Sequence, residues 1–175
     1  EEAVDQSLNS SKRLNTLLDS LGIFIRFVNS EYRRKNINII SFLDATIGDH
    51  SKKIEEKNIW IIKRYNPKSV VKKFIDEEPL NLCFNNILKN AIRYSNNSGK
   101  IEIDIQKKFF SIKDYGVGIE EKNIDKIFDR YFRENYSREG SGIWLSLVKK
   151  ICDKYNWKIE LKSEKDVYTY FAIHF

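Results

Sequence analysis

The sequence predicts an α/β domain of the α+β sandwich type: a mixed, largely antiparallel sheet covered on one face by helices, with one long helix in front. Three observations carry this. From about residue 35 onward, short apolar segments of period two interchange with segments of helical period. Two strand pairs follow so closely in the chain that they must be hairpins: IEIDI with FFSIKD across Lys107-Lys108, and WKIEL with VYTYFAIHF at the end. Before residue 35 there is no alternation, only a long apolar stripe at coiled-coil-like spacing. Hairpins demand antiparallel pairing, whereas strands separated by helices can cross over, so the sheet is expected to be mixed.

The stripe consists of Val4, Leu8, Ser11, Leu14, Leu18, Leu21, Ile25 and Val28, at steps of three and four. Such a helix either covers its stripe with a partner helix, from another chain or from a neighbouring segment of a longer one, or folds it onto its own domain. The chain opens with Glu1 and has no Met, and reads as a piece of a longer protein, with a boundary between 1–34 and 35–175. In the second part, INII (37–40) reads as a short strand and SFLDATIGDHSKKIEEKN (41–58) as an amphipathic helix. IWIIKRY (59–65) is a strand stopped by Asn66-Pro67, and VVKKFI (70–75) another strand. Asp76 is placed to cap a helix whose first turn holds Glu77, Glu78 and Pro79, all suited to that end. This helix runs to about residue 95 and stops at Asn96-Asn97-Ser98-Gly99. After the first hairpin, IDKIFDRYF reads as a short helix, and a last helix starts near Trp144.

Composition narrows the function classes. At 175 residues, 41% hydrophobic and 13% aromatic, the chain can bury a core. It has no apolar run near ~18 residues and no secretory pattern, so the fragment makes no membrane contact by this route and reads as cytoplasmic. A net charge of +6 is spread among interspersed acids and bases, without the concentrated stripe a nucleic-acid partner needs. Cys83 and Cys152 lack metal-site spacing and read as reduced core thiols in a cytosolic setting.

Four short stretches carry chemistry. Asn86, Asn90 and Arg93 are spaced by four and three along one face of the helix 77–95, with Tyr94 following. A carboxamide oxygen suits Mg²⁺, and a guanidinium suits phosphate. DYGVGI sets Asp114 at a strand end, an acceptor for a ligand's donor, before Gly116 and Gly118, which allow close backbone approach. IFDRYFRE (127–134) combines Phe128 and Phe132 with Arg130 and Arg133, either an apolar plug or a phosphate clamp on a movable segment. Gly140-Ser141-Gly142 precedes the last helix, where bare N–H groups can meet a phosphate, and a polar run, RENYSRE, suited to a lid, comes before it.

In this order and spacing the stretches resemble the N, G1, F and G2 boxes of the GHKL ATP-binding superfamily, within it the catalytic domain of bacterial two-component sensor histidine kinases. The motifs span about 76–150. The helix around SSKRLNTLLDSL also resembles the second helix of the family's dimerisation and phosphotransfer hairpin. The resemblance implies ATP and Mg²⁺ as cofactors, with Asn90 as metal ligand and Arg93 and Tyr94 near the triphosphate and nucleoside. Asp114 would accept from the adenine amino group, Gly116 and Gly118 would pass beneath the base, and Ile119 would pack on it. Phe128 and Leu145 would complete the binding site. Arg133 would reach the γ-phosphate, and Gly140, Ser141 and Gly142 would cover the phosphates. It implies a homodimer through the hairpin, a response regulator as partner, and a parent protein anchored in the bacterial inner membrane.

Asn86 stands where water-activating relatives carry an acid, and an amide is no base at neutral pH. That favours a kinase, with Asn86 grouped with Asn90, Arg93 and Arg133 as the catalytic set. An anti-sigma-factor-like serine kinase is the nearest alternative and lacks the preceding heptad helix. Two departures stand out. The only histidines are His50 and His174, neither in the family's phosphoacceptor motif, so the acceptor is expected upstream of Glu1. Trp144 replaces the last glycine of the G2 box. Either its ring packs with Leu147, Val148 and Ile151 on one helix face, or it fills space the phosphates need and leaves a degenerate signalling module.

Overall fold

The computed structural model describes Ser11, Gly22, residues 33–133 and residues 142–175. The expected long helix over 1–34 therefore lies almost wholly outside the described residues, as do Gly140, Ser141 and most of RENYSRE. Strand β1 covers Arg34–Asn38 and β3 covers Lys72–Asp76; they pair antiparallel as a separate two-stranded sheet. The main sheet has five strands in the order β2-β4-β5-β7-β6. These are β2 (Trp60–Lys63), β4 (Lys100–Ile105), β5 (Phe109–Asp114), β6 (Lys158–Glu164) and β7 (Tyr168–His174). Only β2 with β4 is parallel; the other three pairings are antiparallel, so the sheet is mixed and both hairpins form as the sequence predicts.

Helices α1 (Ile39–Gly48), α2 (Ser51–Glu56), α3 (Glu77–Tyr94) and α4 (Trp144–Tyr155) complete the described domain. The inward residues of β4, β5 and β7 alternate along each strand: Ile101, Ile103, Ile105; Phe110, Ile112; Phe171, Ile173. They meet Leu80, Phe84, Ile87, Leu88 and Ala91 of α3 and Leu147, Val148 and Ile151 of α4 in one core. Phe84 stands edge-on to Phe110 at 5.1 Å. The opposite face carries Lys100, Lys113 and Lys162 laid over the rings of Tyr115, Tyr168 and Tyr170. Helices covering one face of a mixed sheet match the prediction.

Several local expectations shift. Ile39 and Ile40 open α1 rather than end a strand, because their side chains are needed in the core. The helix expected over 41–58 breaks at Asp49-His50. Asp76 precedes α3 but does not cap it. Its buried carboxylate instead accepts the Arg33 N–H at 2.9 Å and the Tyr155 hydroxyl at 2.8 Å. The helix expected over IDKIFDRYF is replaced by one short 3₁₀ turn, Lys126–Phe128, with another, Glu121–Asn123, just before the segment. Helix α4 ends on a left-handed Asn156, and the Trp157 N–H reaches back to the Cys152 carbonyl at 2.8 Å. Cys83 and Cys152 are free and buried as predicted, and burial raises the Cys83 thiol's pKa.

Candidate nucleotide site

At the Asp114 end of the sheet, α3, the loop after β5, the β6–β7 turn and the start of α4 enclose a cavity of about 410 Å³. One end of it is closely fixed. Asp114 ends β5, is 5% exposed, and stands in register with Thr169 of β7, which lines the same cavity. Its Oδ1 accepts the Gly116 N–H at 3.1 Å. Burial pushes the Asp114 pKa up to about 7, against the pull of the Gly116 and Asp114 N–H groups and the Lys57 charge. The wall around it is apolar: Ala91, Ile112, Ile119, Ile127 and Phe171. A buried acceptor in apolar walls suits a flat heterocycle bearing an amino group.

The loop after Asp114 is clamped from both sides. A Cβ on Gly116 would lie 2.1 Å from the Tyr94 carbonyl oxygen, and the Val117 N–H reaches that same oxygen at 3.3 Å. Gly118 has φ +59°, and a Cβ there would lie 2.1 Å from the Glu164 carbonyl oxygen. The Asp166 N–H donates to the Val117 carbonyl at 2.9 Å, and the Ile119 N–H to Ser163 Oγ at 2.9 Å. Behind the loop, Lys57 Nζ donates to the carbonyls of Ile92, Arg93 and Ser95 at 2.8, 3.1 and 2.7 Å, closing the C-terminal end of α3.

The other end is open. Gly142 has φ +70°, and a Cβ there would lie 2.8 Å from the Phe132 carbonyl oxygen. The Tyr131 N–H donates to the Gly142 carbonyl at 2.9 Å, with Tyr131 itself at φ +67°. Helix α4 starts two residues later. Ile143 at its N-cap has no side-chain acceptor to offer, and its first turn holds no acid. Among the described residues, the N–H groups of that turn and the positive end of the helix are thus left for an anion. Asn90, Arg93, Arg133 and Lys165 line the same cavity and add a carboxamide and three cations. Lys165, on the β6–β7 turn next to Gly118, belongs to the Asp114 end, where Glu120 and Asp166 also line the cavity. An unshielded helix end in one cavity with the Arg93 and Arg133 guanidiniums fits a phosphate chain, and the Asn90 carboxamide fits a hard cation that keeps its waters.

Of the residues named from sequence, the structure brings Asn90, Arg93, Tyr94, Asp114, Gly118, Ile119, Arg133, Gly142 and Leu145 to the cavity wall. Asn86 is not among the lining residues: it is buried, and its amide donates to the Leu82 carbonyl at 2.7 Å. Gly116 lies behind the wall, against α3. Phe128 packs edge-on to Phe171 at 6.4 Å and lines a separate shallow groove. Trp144 both packs against the core and lines the cavity, so the two readings of this residue are not exclusive. His50 bonds Asn85 at 2.6 Å and His174 bonds Glu160 at 3.2 Å. Sequence reasoning missed Thr169 and Lys57. Thr169 is found only through strand register, and Lys57 only through the fold around the end of α3.

Comparison with known proteins agrees with this geometry. The chain is 27% identical to the sensor histidine kinase WalK of Bacillus subtilis, over 82% of this chain and 25% of that protein. It is 28% identical to the signal transduction histidine-protein kinase ArlS of Staphylococcus haemolyticus, over 100% of this chain and 40% of that one. It thus spans less than half the length of these relatives. Its fold matches the catalytic domain of the histidine kinase ThkA, with a TM-score of 0.69 at 23% identity over 81% of this chain and 94% of that one. It also matches full-length ShkA, solved in complex with AMPPNP, with a TM-score of 0.78 at 20% identity over 99% of this chain and 38% of that one. Residues 75–175, which hold the whole cavity from α3 to β7, match the histidine kinase-, DNA gyrase B- and HSP90-like ATPase family, and the chain belongs to it.

Proposed function

We propose that this chain is the ATP-binding catalytic domain of a sensor histidine kinase. The observation that carries the proposal is one cavity joining a buried carboxylate, Asp114, to an open helix N-terminus flanked by Asn90, Arg93 and Arg133. Ionised Asp114 accepts the amino group of adenine, and Ile119 and Phe171 pack on the base. Tyr94 lies along the nucleoside. Gly142 and the first turn of α4 face the phosphates, with Arg93 and Arg133 neutralising them. Asn90 would hold Mg²⁺, which would supply charge neutralisation to the phosphate chain. ShkA, which shares the fold, was solved with AMPPNP.

The reaction proposed is phosphoryl transfer. The bond from the γ-phosphorus to the β,γ-bridging oxygen breaks, ADP leaves with that electron pair, and a bond forms to an imidazole nitrogen. No general base is required of this chain: Asn86 is an amide engaged with its own helix, which leaves water unactivated there. His50 and His174 are tied to Asn85 and Glu160, and the acceptor is assigned to a hairpin upstream of Glu1. Residues 1–34 would be the second helix of that hairpin and 35–175 the catalytic domain. Homodimerisation through the hairpin, phosphotransfer to a response regulator and membrane anchoring of the parent protein are carried over from the relatives. No helix among the described residues is long and apolar enough to cross a membrane.

The test is calorimetric titration of the chain with Mg²⁺-ATP beside Asp114→Asn. Saturable binding weakened at least about 100-fold in the variant is expected, because the amide turns a donor toward the adenine amino group. Equal binding by both proteins would refute the adenine assignment. Joining a histidine-bearing hairpin should then give an acid-labile phosphoprotein; an acid-stable product would mean a serine kinase.

A further inference from the structure

Trp144 occupies the first position of α4, where the family pattern has glycine, and it lines the cavity together with Gly142, Arg133 and Phe132. The indole is half-buried and rests against the core, so its orientation is held by packing. Its Nε1–H makes no hydrogen bond among the described residues, although indole has one donor and no acceptor. The same helix end has an N-cap, Ile143, unable to accept from the first-turn N–H groups. Among the described residues, then, an uncommitted side-chain donor and uncommitted backbone donors line one end of one cavity. Such an arrangement fits an acceptor-rich, anionic ligand group.

We propose that Trp144 is a phosphate-binding residue of this nucleotide site, its indole N–H donating to an oxygen of the phosphate chain. This rests on the reading of the cavity as an ATP site. On this view the tryptophan does not block the loop but replaces room for the phosphates with a rigid donor. The indole costs little conformational freedom to fix, because the core already holds it. It also makes the site discriminate by phosphate content: a ligand without phosphates reaches Asp114 but gains nothing from Trp144.

The test compares wild type with Trp144→Phe, which keeps an aromatic ring and removes the donor, and with Trp144→Gly, which restores the family residue. Mg²⁺-ATP and adenosine are titrated into each, and thermal melting confirms folding. The expected result is a loss of about 3- to 10-fold in ATP affinity for Trp144→Phe, with adenosine affinity changed by less than about 2-fold. Trp144→Gly should lose at least as much for ATP. Unchanged or tighter ATP binding by Trp144→Phe overturns the proposal, as does an equal loss for adenosine, which would make the residue a packing element only. If wild type binds neither ligand, the reading of the site as an ATP pocket fails first. If wild type binds ATP and the Phe variant matches it, only the role of Trp144 fails.

Discussion

The two ends of the cavity are built by opposite means. At the Asp114 end the loop 116–119 is met by rigid groups on each side: the Tyr94 carbonyl, the Glu164 carbonyl and the Ser163 hydroxyl. At the α4 end the donors are left without partners among the described residues: the first-turn N–H groups behind Ile143 and the Trp144 indole. A flat base with a fixed pattern of donors and acceptors needs the first kind of site. A flexible, highly charged phosphate chain needs the second, in which donors wait for charge. On the proposed reading of the site, specificity and affinity are separable, and substitutions at the two ends should fail in different ways.

The largest effect is expected at the clamped end. Gly118→Ala forces a Cβ to 2.1 Å from the Glu164 carbonyl while φ stays at +59°. Neither the strand end nor the loop can yield cheaply, and a loss of about 3 kcal/mol or more in unfolding free energy is expected by denaturant titration. Gly142→Ala meets the milder distance of 2.8 Å at φ +70°. There the Cβ also meets the Tyr131 and Phe132 backbone, so the cost exceeds the left-handed penalty alone but should stay below that at Gly118, at about 2 kcal/mol. Equal losses at both positions would break the contrast between a clamped and an open end.

The difference between the ends also decides what could be read in advance. Hairpin partners, the helical stripe of α3 and the placing of Asp114 at a strand end were legible, because each is fixed by neighbours in sequence or by the order of the four motifs. Gly116 and Gly118 were legible as points of close backbone approach and Gly142 as part of the glycine loop before the last helix; Gly118 and Gly142 take positive φ. What was not legible depends on distant contacts. The Asp76 carboxylate turns from its helix to Tyr155, 79 positions away. Thr169 reaches the cavity because β7 pairs with β5 in one register. Strands β1 and β3 leave the main sheet to pair with each other, which no periodicity encodes. The aromatic segment 124–132 has helical composition but forms only one 3₁₀ turn, Lys126–Phe128; sequence propensity lost there to tertiary context.

Asp114 itself should show a conflict between stability and binding. Its folded pKa is raised to about 7 from the ordinary 3.8. Its favourable contribution is thus complete below the unfolded value and is lost as pH rises through about 7, where the native state must hold a buried charge. Asp114→Asn keeps an oxygen for the Gly116 N–H and removes that charge. The variant should be more stable than wild type by about 2 kcal/mol at pH 8, by a smaller margin at pH 5, while binding ATP far more weakly. Melting curves at the two pH values check this, and a variant less stable at pH 8 would show that the carboxylate is not penalised by burial.

Binding should carry the reverse pH dependence. Adenosine, which has no group titrating near neutrality, needs the ionised carboxylate to accept its amino group. Between pH 8 and pH 6 its affinity should fall about tenfold, with a midpoint near the Asp114 value of about 7. Calorimetry or equilibrium dialysis across that range reads it directly, and a flat profile would place the amino group elsewhere.

The smallest effect expected is at Lys57, which is not among the cavity's lining residues. Its ammonium closes the C-terminal carbonyls of α3 and its charge holds the Asp114 pKa below where burial alone would set it. Lys57→Met removes both effects while keeping much of the side chain's bulk. A loss of about 1–2 kcal/mol in stability follows from three carbonyls left without a charged donor. The distinguishing readout is the midpoint of the adenosine pH profile, which should move upward because the carboxylate ionises less readily. A drop in stability with no movement of that midpoint would confine Lys57 to holding the helix end. A shift would show that a cation outside the cavity tunes the acceptor within it.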